Sequence, residues 1–285
     1  MKFAKYHGIG NDFVLFADPD DRLEITEVMA ARLCDRRFGI GGDGVIRVAT
    51  GRDGADFTMD YRNSDGSIGE MCGNGIRCLA VFAREQGLTN STELKVATGA
   101  GIKALTVFED DSVRVDMGSP IFEPAKIPVD HATPFGLTIC LPPDSSECYE
   151  FDCVSMGNPH AVTFVDDLNA VEVQRIGPQV ETSSRFPHRA NVEFVRIISP
   201  DKVEARVWER GSGETLACGT GACAVGVVSR LQRNTSQEVT VVLPGGELQI
   251  EWSGAIKDEQ SVFMTGPVER SFEGEVDLDS YRGVQ

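Results

Sequence analysis

The sequence predicts a mixed α/β (α+β) fold in two pseudo-symmetric halves, each a sheet wrapped around a central apolar helix. Three observations carry this: an internal repeat, strand-like alternation that recurs in the same order in each copy, and two helix-like runs that are apolar on nearly every face.

The repeat comes first. Met71-Cys72-Gly73-Asn74-Gly75-Ile76-Arg77-Cys78 returns as Ala217-Cys218-Gly219-Thr220-Gly221-Ala222-Cys223-Ala224, an offset of 146 residues from position 72 to position 218. Ile9-Gly10-Asn11 returns as Met156-Gly157-Asn158, an offset of 147 from position 11 to 158, and Met117-Gly118-Ser119-Pro120 is echoed by Thr265-Gly266-Pro267. Agreement among the offsets says more than any single match.

The elements follow in order. Each half opens with a strand, Phe13-Val14-Leu15-Phe16 in the first and Ala161-Val162-Thr163-Phe164-Val165 in the second. Further strands are read over Asp56 to Tyr61 and Val203 to Trp208, each ahead of a Cys-Gly-x-Gly turn and a helix. Leu79-Ala80-Val81-Phe82-Ala83 and Ala222-Cys223-Ala224-Val225-Gly226-Val227-Val228 have no polar side, so sheet must surround them, and Gly87 ends the first. β-rich segments return over Glu93 to Phe108, Val113 to Met117 and Val239 to Trp252, with a Gly245-Gly246 turn. The proline-rich stretch Pro120 to Pro143 reads as the crossing between halves, and Met29 to Phe38 as a helix.

Composition excludes several classes. A chain of 285 residues with 41% hydrophobic and 25% charged residues can bury a sizeable core. The net charge of −17 would repel nucleic acid and anionic membrane surfaces. No apolar run approaches the length of a membrane span, and Met1 to His7 lacks a signal peptide's apolar stretch, so a cytoplasmic location is expected. Eight cysteines without a CxxC pair, and four histidines without HExxH or HxH, leave a metal site little to stand on. Cys34, Cys78, Cys140, Cys148, Cys153 and Cys223 are read as small buried hydrophobes.

Cys72 and Cys218 are different. A helix start carries unpaired N–H groups and the positive end of the dipole. Glycines let a ligand approach that backbone, and a thiol beside it is expected to ionise more readily. Were the halves to face each other, one cysteine as thiolate could take an α-proton while the other, as thiol, returns one to the opposite face. Backbone N–H groups would steady the charge that develops on the carboxylate. Such a reaction needs no cofactor, neither pyridoxal phosphate nor metal.

Gly8-Ile9-Gly10-Asn11-Asp12-Phe13, Gly41-Gly42-Asp43-Gly44, Asn63-Ser64-Asp65-Gly66-Ser67, the two cysteine segments, Gly157-Asn158-Pro159-His160, Ala190-Asn191-Val192-Glu193-Phe194 and the run Trp208-Glu209-Arg210-Gly211-Ser212-Gly213-Glu214-Thr215-Leu216 together resemble the diaminopimelate epimerase family, from residue 3 to about residue 267. The resemblance implies two barrel-like halves, residues 1–118 plus 262–285 with Cys72 and residues 119–261 with Cys218. It implies interconversion of LL- and meso-2,6-diaminopimelate, for lysine and peptidoglycan precursors, by an isomerase that is a monomer or homodimer. By motif match Cys72 and Cys218 are the acid/base pair, and Asn11, Asn63, Asn158, Asn191, Glu209 and Arg210 hold substrate. Gly73, Asn74, Gly219 and Thr220 match backbone donors to the carboxylate at the reacting centre, while His160 and Glu209 match polar partners near the cysteines. Arg210 suits a bidentate carboxylate contact. One departure is Gly44, where some members carry glutamine.

Four other readings compete, one of them a non-enzymatic redox dithiol protein whose working state is a Cys72–Cys218 disulfide. A two-cysteine racemase or epimerase of histidine, proline or hydroxyproline would share the Cys-Gly-x-Gly pair. A thiol hydrolase pairing Cys72 with His160 needs only one nucleophile and leaves the repeat unexplained. A nucleotide-binding module could use Gly39-Ile40-Gly41-Gly42-Asp43-Gly44, but a helix rather than a strand precedes that GxGxxG.

Overall fold

The computed structural model describes residues 1–142 and 145–282. The chain forms two compact units, Met1–Val115 with Thr265–Gln285, and Asp116–Met264. Unit 1 runs β1 (Lys2–Gly8), β2 (Asn11–Asp18), α1 (Glu27–Cys34), β3 (Gly44–Thr50), β4 (Phe57–Asn63), β5 (Ile68–Gly69), α2 (Gly73–Glu85), β6 (Glu93–Thr98), β7 (Gly101–Val107) and β8 (Val113–Gly118), within which the chain passes into unit 2. Unit 2 runs β9 (Leu137–Cys140), β10 (Cys148–Ser155), β11 (Pro159–Phe164), α3 (Val173–Glu181), β12 (Asn191–Ser199), β13 (Lys202–Glu209), β14 (Gly213–Thr215), α4 (Gly219–Arg233), β15 (Glu238–Leu243), β16 (Gly246–Glu251) and β17 (Val262–Gly266). The chain then returns to unit 1 and ends on β18 (Glu269–Glu275), antiparallel to β1, and a 3-10 turn.

The repeat is a repeat of topology. In unit 1, β1 pairs antiparallel with β2, β2 parallel with β3, β3 antiparallel with β4, and β4 both antiparallel with β5 and parallel with β6, which is antiparallel to β7. In unit 2, β10, β11, β12, β13, β14, β15 and β16 take the same senses in the same order. Registers agree as well: Phe13 faces Gly44 as His160 faces Asn191, and Tyr61 faces Gly69 as Val207 faces Thr215.

Each unit encloses one helix. Every residue of α2 from Gly73 to Ala83 is buried, and so is α4 from Gly219 to Ser229 except Thr220. Within its own unit α2 packs on β1, β2, β3 and β7, and α4 on β10, β11, β12, β15 and β16. All-round apolarity was the signature of this enclosure. A helix end must still satisfy its carbonyls. After α2, Leu88 N–H donates to Ala83 O (2.9 Å) and Gly87 N–H to Arg84 O (3.0 Å), and Gly87 takes φ +69° to allow it.

α1 lies against Val14, Phe16 and Val45 of unit 1 through Met29, Ala30 and Leu33. It ends at Cys34, not Phe38, because Asp35 Oδ1 accepts the N–H groups of Arg37 (2.7 Å) and Phe38 (2.8 Å) and turns the chain. The N–H groups of Ile40, Gly41 and Gly42 then donate to Leu33 and Cys34 carbonyls. The GxGxxG glycines therefore satisfy a helix C-terminus, the opposite polarity to a phosphate cradle.

The proline-rich stretch is not a free-standing linker. Ile127, Val129, Leu137, Ile139 and Leu141 belong to the core of unit 2, while Pro143 lies outside the described residues. Cys34, Cys78, Cys153 and Cys223 are buried and form no disulfide, as expected. Cys140 and Cys148 differ: they face each other across β9 and β10 and form a disulfide. Opposed positions on an antiparallel pair bring Cβ atoms close enough for that bond, a proximity that spacing alone does not reveal.

The enclosed helix of unit 2 fits tightly against its sheet at Gly226, where an added Cβ would lie 2.6 Å from Ile250 Cγ2 and 3.0 Å from its Cβ. Ile250 is buried and cannot swing aside. Gly226→Val is expected to destabilise the protein by about 1–3 kcal/mol through overpacking, read as a lower urea midpoint with little change in m.

Candidate active site

Both motif cysteines cap the helix their unit encloses. Cys72 is the N-cap of α2, and its Sγ accepts from Gly75 N–H at 3.5 Å; Cys218 is the N-cap of α4, and its Sγ accepts from Gly221 N–H at 3.3 Å. Sulfur thus takes the place of a serine or aspartate oxygen at a helix start. Gly73 and Asn74, and Gly219 and Thr220, fill the first two helical positions, where N–H groups point out of the helix end. The third position of α4 is tight, because an added Cβ at Gly221 would lie 3.1 Å from both Cys218 Sγ and Glu193 Oε1.

Around Cys72, Asn11 is the hub. Its Oδ1 accepts from Asn74 Nδ2 (3.0 Å) and lies 3.7 Å from Cys72 Sγ, and its Nδ2 donates to Asp43 Oδ2 (2.7 Å). Asp43 also accepts from Asp12 N–H (3.1 Å), which fixes the glycine loop to the start of β2. Asp12 pairs with Lys5 and Arg36, each at 2.7 Å. Burial alone would raise the Asp12 pKa, but the hydrogen bonds and charges of Arg36 and Lys5 outweigh it and bring it down to about 2. Asn63 ends β4 opposite Gly44, its Oδ1 accepting from the Tyr61 hydroxyl (2.7 Å) and its Nδ2 donating to Ser67 Oγ (3.0 Å). Asn11, Gly44 and Asn63 therefore share one edge of the unit 1 sheet.

Around Cys218 the same edge of the unit 2 sheet carries Asn158, His160, Asn191 and Glu209. Asn158 Nδ2 donates to Thr220 Oγ1 (3.3 Å), whose oxygen lies 3.7 Å from Cys218 Sγ. His160 is fully buried; its Nε2 meets Asn158 Oδ1 at 2.9 Å and its Nδ1 meets Glu193 Oε1 at 2.6 Å. Asn191 spends its amide on backbone, donating to Pro159 O (3.0 Å) and accepting from Arg210 N–H (2.9 Å), so it ties β11 to the end of β13. Glu209 Oε1 accepts from Thr215 Oγ1 (2.5 Å). Arg210 is exposed, one guanidinium nitrogen donating to His188 O at 3.2 Å.

The electrostatics of Cys218 differ from the sequence expectation. Burial, then the charges of Glu209 and Glu193, push its thiol well above the ordinary cysteine value, and the Gly221 N–H and Thr220 hydroxyl only partly oppose them. The helix end does not win because burial, reinforced by two nearby carboxylates, outweighs it. Glu193 is itself raised by desolvation, with His160 acting against that. Cys218 is therefore a thiol at neutral pH. Glu193 had no assigned role in the sequence reading. Its signal was a charge inside the otherwise apolar strand Val192-Glu193-Phe194-Val195. Among the described residues no cluster of three metal-ligating side chains occurs, and no helix is long and apolar enough to cross a membrane.

A profile of the family described as diaminopimelate epimerase matches residues 3–123 and 152–271. The diaminopimelate epimerase of Trichodesmium erythraeum is 48% identical over 95% of this chain and 98% of its own length. That of Nostoc punctiforme is 46% identical over 97% of this chain and 99% of its own. Among solved structures, a phenazine biosynthesis protein of the PhzF family from Bacillus anthracis superposes with a TM-score of 0.71 at 17% identity, covering 97% of this chain and 98% of that one. A hydroxyproline epimerase from Agrobacterium vitis with bound trans-4-hydroxy-L-proline gives a TM-score of 0.69 at 14% identity over 96% of this chain and 91% of that one. Those structural likenesses establish the shared fold; the match along nearly the whole length, together with two cysteine-capped helices in equivalent places, establishes that the chain belongs to the diaminopimelate epimerase family.

Proposed function

We propose that this chain interconverts LL- and meso-2,6-diaminopimelate without a cofactor, using Cys72 and Cys218 as a thiolate/thiol pair. The observation that carries the reading is the duplication of one chemical device: a thiol capping an enclosed helix, ringed by asparagines at the same sheet edge of each unit.

One cysteine, as thiolate, abstracts the α-proton, and the other, as thiol, donates to the opposite face. A proton lost to one thiol and regained from the other on the opposite face inverts the carbon and leaves the two thiols with exchanged protonation. The α-carbon is a weak acid, and its carbanion is stabilised only if charge can move onto the carboxylate. First-turn N–H groups at Gly73, Asn74, Gly219 and Thr220 are the donors suited to that charge. The reverse epimerisation uses the same pair in exchanged roles. Glu209 and Glu193 make Cys218 a poor anion, so once it has lost its proton it retakes one readily.

Asn11, Asn63, Asn158, Asn191, Glu209 and Arg210 are proposed to hold the substrate, with Arg210, exposed and always charged, meeting the non-reacting carboxylate. Asn191 acts through the Arg210 backbone it fixes. His160 and Glu209 are proposed as the polar support of Cys218. A cytoplasmic enzyme feeding lysine and peptidoglycan precursors fits this substrate.

In D₂O, with LL- or meso-diaminopimelate and no added cofactor, the intact protein is expected to epimerise with deuterium incorporation at the α-carbon. Cys72→Ala and Cys218→Ala should each lose about 10³-fold or more in kcat, the scale of a positioned acid or base. A Cys218 variant retaining full activity would sink the two-thiol reading in favour of single-nucleophile chemistry. Deuterium exchange with another amino acid but not with diaminopimelate would keep the chemistry and replace the substrate.

Alkylation separates the two thiols. Cys218 is buried and held protonated, whereas Cys72 is partly exposed. Iodoacetamide at neutral pH is expected to modify Cys72 well before Cys218, as read by peptide mass spectrometry. Earlier modification of Cys218 would contradict its raised pKa.

A further inference from the structure

Gly44, at the end of β3 that faces Asn63, has a physical counterpart in Tyr61. The two lie on neighbouring strands: Tyr61 of β4 faces Ile46 of β3, and Gly44 is two residues along that strand, a diagonal neighbour on the same face. On the other side Tyr61 faces Gly69 of β5. An added Cβ at Gly44 would lie 2.5 Å from Tyr61 Cε2 and 2.7 Å from Arg62 O, and one at Gly69 would lie 2.3 Å from both Cδ1 and Cε1 of the same ring. The ring therefore lies flat across two glycines, in a slot that no larger residue leaves open. Phe13 closes it edge-on, with centroids 5.9 Å apart at 76°.

The slot delivers the Tyr61 hydroxyl to Asn63. Hydrogen-bond polarity then fixes how that amide faces. The Ser67 hydroxyl donates to Asp65 Oδ1 (2.6 Å), and the Ser67 hydroxyl and N–H together hold the Asp65 carboxyl below its ordinary range. With its hydrogen spent, Ser67 Oγ can only accept from Asn63 Nδ2. The Asn63 carbonyl must then face Tyr61, which donates to it, and the second hydrogen of the Asn63 amide nitrogen remains to be given outward.

Unit 2 provides the control. Its strands place Glu209 where unit 1 has Asn63, Val207 where unit 1 has Tyr61, Asn191 for Gly44 and Thr215 for Gly69. There the ring is missing, both small positions carry side chains, and the hydroxyl that holds the Glu209 oxygen comes from Thr215 itself. The two units solve one problem twice: a hydroxyl must lock the polar side chain that ends the fourth strand. In unit 1 it arrives from two residues back along the same strand, on Tyr61, because Gly44 and Gly69 make way.

The geometry points to Tyr61 as a positioning residue for substrate binding, which holds Asn63 with its amide nitrogen presented as a donor to a carboxylate of the substrate. The inference rests on the proposed activity and names a residue through which Asn63 acts.

The test is steady-state kinetics on diaminopimelate with the intact protein, Tyr61→Phe and Gly44→Ala. Tyr61→Phe keeps the ring in its slot and removes only the hydroxyl. Its KM is expected to rise about tenfold with kcat within about twofold, the signature of a lost ground-state hydrogen bond. Gly44→Ala, which displaces the ring, should raise KM in the same sense, and combining the two should cost no more than the larger single effect, since both act through one hydroxyl. A purely structural Tyr61 would lower the melting temperature without this KM-against-kcat split. If the intact protein turns over and Tyr61→Phe keeps its KM, or loses kcat alone, the positioning role is overturned and the activity stands. If the intact protein does not epimerise diaminopimelate, both fall together.

Discussion

A thiol used as a helix cap is the constraint on which the rest of the structure depends. The N-terminus of an enclosed helix cannot turn to water for its N–H partners, so something in the fold must supply them. Here the cap is the reactive group itself, Sγ of Cys72 for α2 and Sγ of Cys218 for α4. Burying each helix within its unit's sheet places the thiol at a sheet edge in a fixed rotamer. The asparagines and acids that surround it end strands at that same edge, so their positions follow from strand pairing. The shape of each unit and the chemistry at its edge thus have a single origin.

That arrangement also sets a balance of charge. Helix ends and asparagine amides favour an anion, while burial and nearby carboxylates oppose one. At Cys218 the opposition wins, through Glu209 and Glu193. At the start of β2 it loses: Arg36 and Lys5 keep Asp12 ionised against its burial. A buried thiol and an anchored, ionised loop come from the same fold because the neighbours differ, and a single rule about helix dipoles covers neither case.

Much of this was legible in the chain. The offsets between the two Cys-Gly-x-Gly segments gave the duplication, since equal spacing requires equal intervening elements. The absence of a polar face on Leu79 to Ala83 and on Ala222 to Val228 gave the enclosed helices. What stayed hidden depends on which residues pair across strands. The Cys140–Cys148 bond and the Thr215–Glu209 contact are both set by register, and a register slip of one residue would abolish each. The raised pKa of Cys218 was hidden for a related reason: Glu193 is 25 positions away in sequence and reaches the thiol only once β12 lies beside α4. The GxGxxG loop was legible too: the helix read before it, where a dinucleotide fingerprint needs a strand, argued against a phosphate cradle, and the loop does close that helix.

The route of the chain has a consequence for synthesis. Unit 1 is assembled from both ends of the sequence: β18 pairs with β1, and Val276, Leu278 and Tyr281 pack on the cluster beneath α1. Unit 2 is continuous, from Asp116 to Met264. A ribosome releasing this chain from its N-terminus makes most of unit 1 first yet completes it last. Until β18 emerges, β1 offers an open edge while its sequence-distant partner is still being made. The nascent chain therefore carries a half-finished N-terminal layer past a C-terminal unit that can already close, inverting the usual order in which the first-made domain is the first to fold.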